Sequence, residues 1–224
     1  MKILVIGQPE KTKDFLEILP ENTNAEVLED MPESFSGYEI IFDLDFDSHA
    51  HKLSFYAKLS GKIVVINSIK KSLAATANHF GEPLLCHLMG MNALPGFIRR
   101  NLAEMTLLND KDYEQIEKLQ EVLQWNIKVV NDRVGMVTPR ILFMIINEAC
   151  YTLQEGTASI SDIDTAMKLG TNYPYGPFEW ADKIGIKDIY ETLLALYDDT
   201  KDERYKICPL LKRKYMMNET FYES

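Results

Sequence analysis

The sequence predicts a two-part chain, with a parallel α/β sheet domain over residues 1–132 and an all-helical domain over residues 133–224. Three observations carry that expectation. Strand-like and helix-like segments alternate through the first part, as crossover connections in a parallel sheet require. The alternation stops at the apolar run IKVV, residues 127–130. Beyond it the apolar residues recur at helical spacing, between residues that start and stop helices.

Met1–Ile6 is a short apolar strand, and Lys11–Leu19 puts Phe15, Leu16 and Leu19 on one helical face. Ala25–Leu28 reads as a second strand and Glu39–Phe46 (EIIFDLDF) as a third. A helix near Ala50–Leu59 ends at Gly61, before the β-branched strand KIVVINS. The helix SLAATANHF, the strand LLCHLMGM and the irregular stretch NALPGF follow. Asp112–Gln124 is amphipathic at helical spacing, and IKVV is the last strand.

In the second part Thr138 is expected as an N-cap with Pro139 at the first helical position, opening PRILFMIINEACYTLQE, which Gly156 stops. Ser161 is expected to cap DIDTAMKL, ended by Gly170, and the loop TNYPYG leads to PFEWADKI, closed by Gly185. Helices from Lys187 to Tyr197 and from Pro209 to Met217 complete the tail. Helical domains this small often complete their core against a second copy, which suggests a homodimer through this part.

Composition excludes several classes. The net charge is -10, with 34 acidic against 24 basic residues, so the field repels polyanions and no nucleic-acid partner is expected. The longest unbroken apolar run is the six residues Ile141–Ile146, too short for a bilayer span, so a soluble, cytoplasmic protein is expected. Cys86, Cys150 and Cys208 are scattered without metal-ligand spacing and read as buried thiols, with no metal.

The opening MKILVIGQPEKTKDFLEIL is a strand, a turn and a helix. A dinucleotide-binding turn uses three glycines: for the tight turn, for approach of the pyrophosphate, and for helix-on-strand packing. Here Gly7 keeps the first role, Pro9 stands at the middle position and Thr12 at the third. Proline has no N–H to offer a phosphate and suits a helix start for structural reasons alone. The turn therefore reads first as a plain strand-to-helix connection.

The helical part is more specific. NEACYTLQEGTASISDIDTAMKLGTNYPYGPFEWADKIG resembles the C-terminal domain of the 3-hydroxyacyl-CoA dehydrogenases, with its N-E-A, E-G-x-A, D-I-D-x-A, G-x-x-x-P-x-G-P-F-E and D-x-x-G motifs. Asn147, Glu148, Gly156, Asp162, Asp164, Gly170, Pro174, Gly176, Pro177, Phe178, Glu179, Asp182 and Gly185 fall in register. The resemblance implies a truncated Rossmann-like domain followed by an all-α domain of the 6-phosphogluconate-dehydrogenase-like type. It implies an acyl-CoA ligand and NAD as cofactor for interconverting 3-hydroxyacyl-CoA and 3-oxoacyl-CoA. The sheet part is similar more weakly: Asp43 matches the acidic residue beside the nicotinamide, Asn67 a cofactor-side amide, and Ser68 or Ser72 the substrate-side hydroxyl. The family's nucleotide domain is longer by something of the order of sixty residues, mostly between the first turn and Glu39, where much of the adenosine site is built.

The resemblance also implies a catalytic set. Family members use a histidine base, a glutamate twelve residues later and an asparagine from the helical domain. Aligned on Gly90 and Met91, the histidine position holds Asn92, the glutamate is Glu104, and the asparagine is Asn147. An amide accepts no proton at neutral pH, whereas an imidazole with a pKa of about 6.5 does. An alternative alignment makes His87 the base, seventeen residues from Glu104. Each residue also has a structural reading: His87 as a hydrogen-bonded core residue, Glu104 as a partner of Arg100, Asn147 as a cap on buried backbone, NYPYGPFEW as packing. Lys168, Arg99 and Arg100 read as solvated cations before they read as ligands of CoA phosphates. Three functions follow: an NAD-dependent dehydrogenase, a degenerate pseudoenzyme that binds acyl-CoA without redox chemistry, or a purely structural dimerisation partner, which no sequence feature supports.

Overall fold

The computed structural model of the protein describes residues 1–100 and 102–222. The chain divides into two compact units, Met1–Met136 and Val137–Ser224.

The first unit runs β1 (Lys2–Ile6), α1 (Pro9–Glu17), β2 (Asn24–Leu28), β3 (Ile40–Asp43), α2 (Leu53–Tyr56), β4 (Ile63–Asn67), α3 (Leu73–Phe80), β5 (His87–Met91), β6 (Ala103–Leu107), α4 (Tyr113–Leu123) and β7 (Ile127–Val129). The seven strands lie in the order β2-β1-β3-β4-β5-β6-β7. Strands β1 to β5 are parallel. The expected parallel sheet is present, with one antiparallel addition: β6 runs against β5, and β7 follows the direction of β6.

Strand β6 was not expected from the sequence. Its surroundings, RRNLAEMTLLND, are rich in good helix formers, and the ladder with β5 overrides that preference. The third strand is shorter than EIIFDLDF suggests: it ends at Asp43, and Phe46–Ser48 forms a 3-10 turn. The expected Ala50–Leu59 helix is a 3-10 turn, Ala50–Lys52, followed by the single α turn of α2.

Alternate residues of the strands feed two cores, one on each face of the sheet. Ile3, Val5, Phe42, Val65 and Met89 pack with Phe15 of α1 and Ile116 and Leu119 of α4. Leu4, Ile6, Ile41, Val64 and Leu88 pack with Leu53 and Tyr56 of α2 and Leu73 of α3. Burial on both faces explains why these strands read as unbroken apolar runs rather than alternating ones.

The second unit consists of α5 (Thr138–Gln154), α6 (Ile160–Thr171), α7 (Pro177–Ile184), α8 (Ile186–Thr200) and α9 (Pro209–Met217). Its caps differ from expectation. Val137 is the N-cap of α5, which moves Thr138 into the helix and Pro139 to its second position. Ser159, not Ser161, caps α6, its hydroxyl accepting from the Asp162 N–H. Helix α6 passes through Gly170 and stops at Asn172, whose φ of 56° is left-handed.

The α6–α7 junction accounts for the densest motif. Buried Asp164 accepts from the N–H groups of Phe178 at 2.9 Å and Glu179 at 3.1 Å, and from the Tyr222 hydroxyl at 2.8 Å. A side chain at Gly176 would put its Cβ 2.2 Å from Asp164 Cγ. Glu179 accepts from the Gly176 N–H and from Lys168 Nζ, and Phe178 is fully buried. The motif is a carboxylate-capped helix start, so its spacing follows from packing and hydrogen bonding.

Candidate active site

In open α/β sheets, ligands bind beyond the carboxyl ends of the strands, at the point where the strand order reverses. Here β1 lies between β2 and β3, so that point is beyond Ile6 and Asp43. Gly7 follows β1, Asp43 ends β3, Asn67 ends β4 and Asn92 follows β5, so these four share the carboxyl edge. His87 does not. It opens β5, in register with Ile63 at the start of β4, about 16 Å of strand from Asn92. Its Nδ1 lies 2.8 Å from Asp112 Oδ1 before α4. The geometry gives His87 the hydrogen-bonded structural role and removes it from the edge where a base would work.

Asn92 and Glu104 are brought together. The β5–β6 register pairs Met91 with Met105, and the Asn92 N–H donates to the Glu104 carbonyl at 3.3 Å. Residues facing each other across antiparallel strands have Cβ atoms about 4.5–5.5 Å apart on one face. The twelve-residue spacing is thus the length of the connection that turns β5 back as β6. The Asn92 side chain is buried, and its Oδ1 accepts from the Leu94 N–H at 3.2 Å. The same face holds Gly90 with Ser68 and Thr106 around it, and a Cβ on Gly90 would lie 2.0 Å from Ser68 Oγ. The buried hydroxyls of Ser68 and Thr106 have no hydrogen-bond partner among the described residues. Ser72, by contrast, caps α3 by accepting from the Ala75 N–H.

Asn67 is a hub. Its Oδ1 accepts from the Ala93 N–H at 3.0 Å and its Nδ2 donates to Asp47 Oδ2 at 3.0 Å. Asp47 also accepts from the Ile69 N–H at 3.1 Å and the Lys70 N–H at 3.4 Å. Burial pushes its carboxyl up to about 7, against the pull of the Lys70 charge and those N–H groups. Asp43 is fully buried and accepts from the Tyr56 hydroxyl at 2.7 Å; burial raises its carboxyl above the ordinary range. With no exposure, Asp43 braces the end of β3. The carboxylates that reach the edge are Asp45 and Asp47, two and four residues further on. The D-x-D-x-D spacing in FDLDFD could have shown them.

The first turn tests the fit of a dinucleotide. Pro9 is the first residue of α1, so that position has no donor. The Gln8 N–H donates to Asp45 Oδ2 at 2.6 Å, and Lys11 Nζ lies 2.7 Å from Asp45 Oδ1. Gly7 is packed against Leu44 and Thr12, which gives it a structural role. Exposed Glu29 follows β2, about twenty residues after Gly7, where such folds place a ribose-binding acid. The ribose side fits. The phosphate side does not, because Pro9 offers no N–H and Asp45 already holds the Gln8 N–H and the Lys11 ammonium.

In the helical unit Asn147 is buried on α5, and both ends of its amide are engaged. Nδ2 donates to the Lys206 carbonyl at 3.0 Å and Oδ1 accepts from the Cys208 N–H at 2.9 Å. It therefore clamps the segment entering α9. Lys168 is 2.6 Å from Glu179, and Arg99 pairs with Asp14 at 2.7 Å and Glu17 at 2.8 Å. Arg100 lies over the Phe97 ring, and burial lowers its guanidinium pKa against the opposing field of Glu104. Among the described residues no group of three or more His, Cys, Asp or Glu could hold a metal ion.

Residues 135–222 match the family model described as 3-hydroxyacyl-CoA dehydrogenase, C-terminal domain. The chain belongs to the 3-hydroxyacyl-CoA dehydrogenase family. It is 46% identical to a 3-hydroxyadipyl-CoA dehydrogenase of Escherichia coli over 95 residues, which is 42% of this chain and 20% of that protein. It is 40% identical to a probable 3-hydroxybutyryl-CoA dehydrogenase of Deinococcus radiodurans over 154 residues, 67% of this chain and 55% of that one. The matches thus span less than two thirds of these relatives. The fold is shared with M. tuberculosis FadB2, at a TM-score of 0.79 and 15% identity over 99% of this chain and 98% of that one.

Proposed function

We propose that the chain serves acyl-CoA metabolism as a 3-hydroxyacyl-CoA dehydrogenase-like protein, with 3-hydroxyacyl-CoA and 3-oxoacyl-CoA thioesters as its ligands. The observation that carries this reading is the match of residues 135–222 to the family's C-terminal domain. A homodimer through the helical unit and a cytoplasmic location go with this reading. Leu169, Met216 and Met217 are exposed apolar residues of that unit, and no helix among the described residues is long and apolar enough to cross a membrane.

The family's reaction exchanges a hydride with NAD. Two observations favour a second reading, in which the thioester binds without being oxidised or reduced: Asp45 on the Gln8 N–H, and an amide, Asn92, opposite Glu104. A titration with NADH and acetoacetyl-CoA, followed by calorimetry and by NADH absorbance, separates the two. Steady NADH consumption establishes the dehydrogenase, and thioester binding without consumption establishes the second reading. No thioester binding at all overturns both.

A further inference from the structure

We infer that Asp45 is a built-in anion that takes the place of a dinucleotide's pyrophosphate at the start of α1 and excludes NAD(H) from this chain. A helix N-terminus attracts negative charge because its first N–H groups lack partners within the helix. In this chain the anion comes from the protein. Asp45 reaches across from the turn after β3, 37 residues away in sequence, and one oxygen takes the Gln8 N–H at 2.6 Å. Its other oxygen is 2.7 Å from Lys11 Nζ, and Lys11 also donates to the Leu44 carbonyl at 3.3 Å.

Three features make the arrangement hard to displace. The Asp45 and Lys11 side chains are only 13% and 15% exposed, so turning Asp45 outward would strand a largely buried ammonium. Pro9 gives an arriving phosphate no replacement donor at the first helical position. Glu10, in the first turn of α1, adds further negative charge at the same end. Asp43, Asp45 and Asp47 therefore divide their work: Asp43 is tied to Tyr56, Asp47 to Asn67, and Asp45 to α1.

The inference does not depend on which thioester binds. Its test is NADH titration of the full chain, read by energy transfer from Trp125, whose indole packs 5.2 Å from Phe15 of α1. Wild-type protein is expected to show no saturation below about 1 mM. Asp45→Asn with Pro9→Gly is expected to gain affinity by about tenfold or more, and inorganic pyrophosphate should raise the melting temperature of that variant but not of wild type. Asp45→Asn alone, in which the first-turn backbone is unaltered, should show the same direction. Wild-type saturation in the micromolar range overturns the inference, as does a folded variant with no gain. Acetoacetyl-CoA titrated into the same samples reports on the thioester reading separately.

Discussion

Asn92 and Glu104 face each other across the only antiparallel strand pair among the described residues, joined by the Asn92 N–H to the Glu104 carbonyl. Asn92→His would set an imidazole opposite a carboxylate. With the nucleotide excluded, that change alone should leave acetoacetyl-CoA-dependent NADH consumption at background. Combined with Pro9→Gly and Asp45→Asn it should raise the rate by about 100-fold or more, the usual worth of a positioned base. Turnover in Asn92→His alone would place the defect at the base and not at the first turn.

Gly90 has no room for a side chain: a Cβ would lie 2.0 Å from Ser68 Oγ and 2.5 Å from Thr106 Oγ1. Gly90→Ala is therefore expected to destabilise the sheet unit by about 1–3 kcal/mol. Gly90→Ala with Ser68→Ala should recover part of that loss, because the closer of the two obstructing oxygens is gone. Urea denaturation of the single and double variants measures both.

Asn147 joins α5 to the Lys206 carbonyl and the Cys208 N–H. Asn147→Ala leaves the buried Cys208 N–H without its partner and frees the Lys206 carbonyl, and should cost about 1–3 kcal/mol in stability. Asn147→Asp keeps an acceptor for Cys208 and should cost less. If either change reduced thioester binding at unchanged stability, the side chain would be a ligand contact and not a clamp.

Asp47 gives a pH signature. Its folded-state carboxyl is raised from an ordinary 3.8 to about 7, so the folded protein binds more protons there than the unfolded chain does. Its contribution to stability is fully present below pH 3.8 and is lost as pH rises to about 7. The melting-temperature difference between wild type and Asp47→Asn should favour wild type most near the acid end of that window and shrink towards neutral pH. A difference that grows with pH would mean that the N–H groups of Ile69 and Lys70 outweigh burial.

The strands of β1 and β4 and the last helix, Pro9 at the start of α1, and the family of the helical unit were legible because each rests on local pattern or fixed spacing. What could not be read was set by pairing between distant segments. The Glu104 strand carries helix-forming residues and is a strand only because β5 lies beside it. FDLDFD reads as one strand, yet it ends at Asp43, since Tyr56 binds the first carboxylate and α1 the second. Asn147 was legible as a family position, but its double bond to the 206–208 backbone depends on a chain return 59 to 61 residues later. Spacing located the residues without revealing which hydrogen bonds had already used them.

The most direct test of the account is a crystal structure of the wild-type protein grown with saturating NADH and acetoacetyl-CoA. The account predicts Asp45 still bonded to the Gln8 N–H and to Lys11, with no dinucleotide beyond β1 and β3. A pyrophosphate on the Gln8 N–H, with Asp45 turned away and the nicotinamide directed towards Asn92, would contradict it.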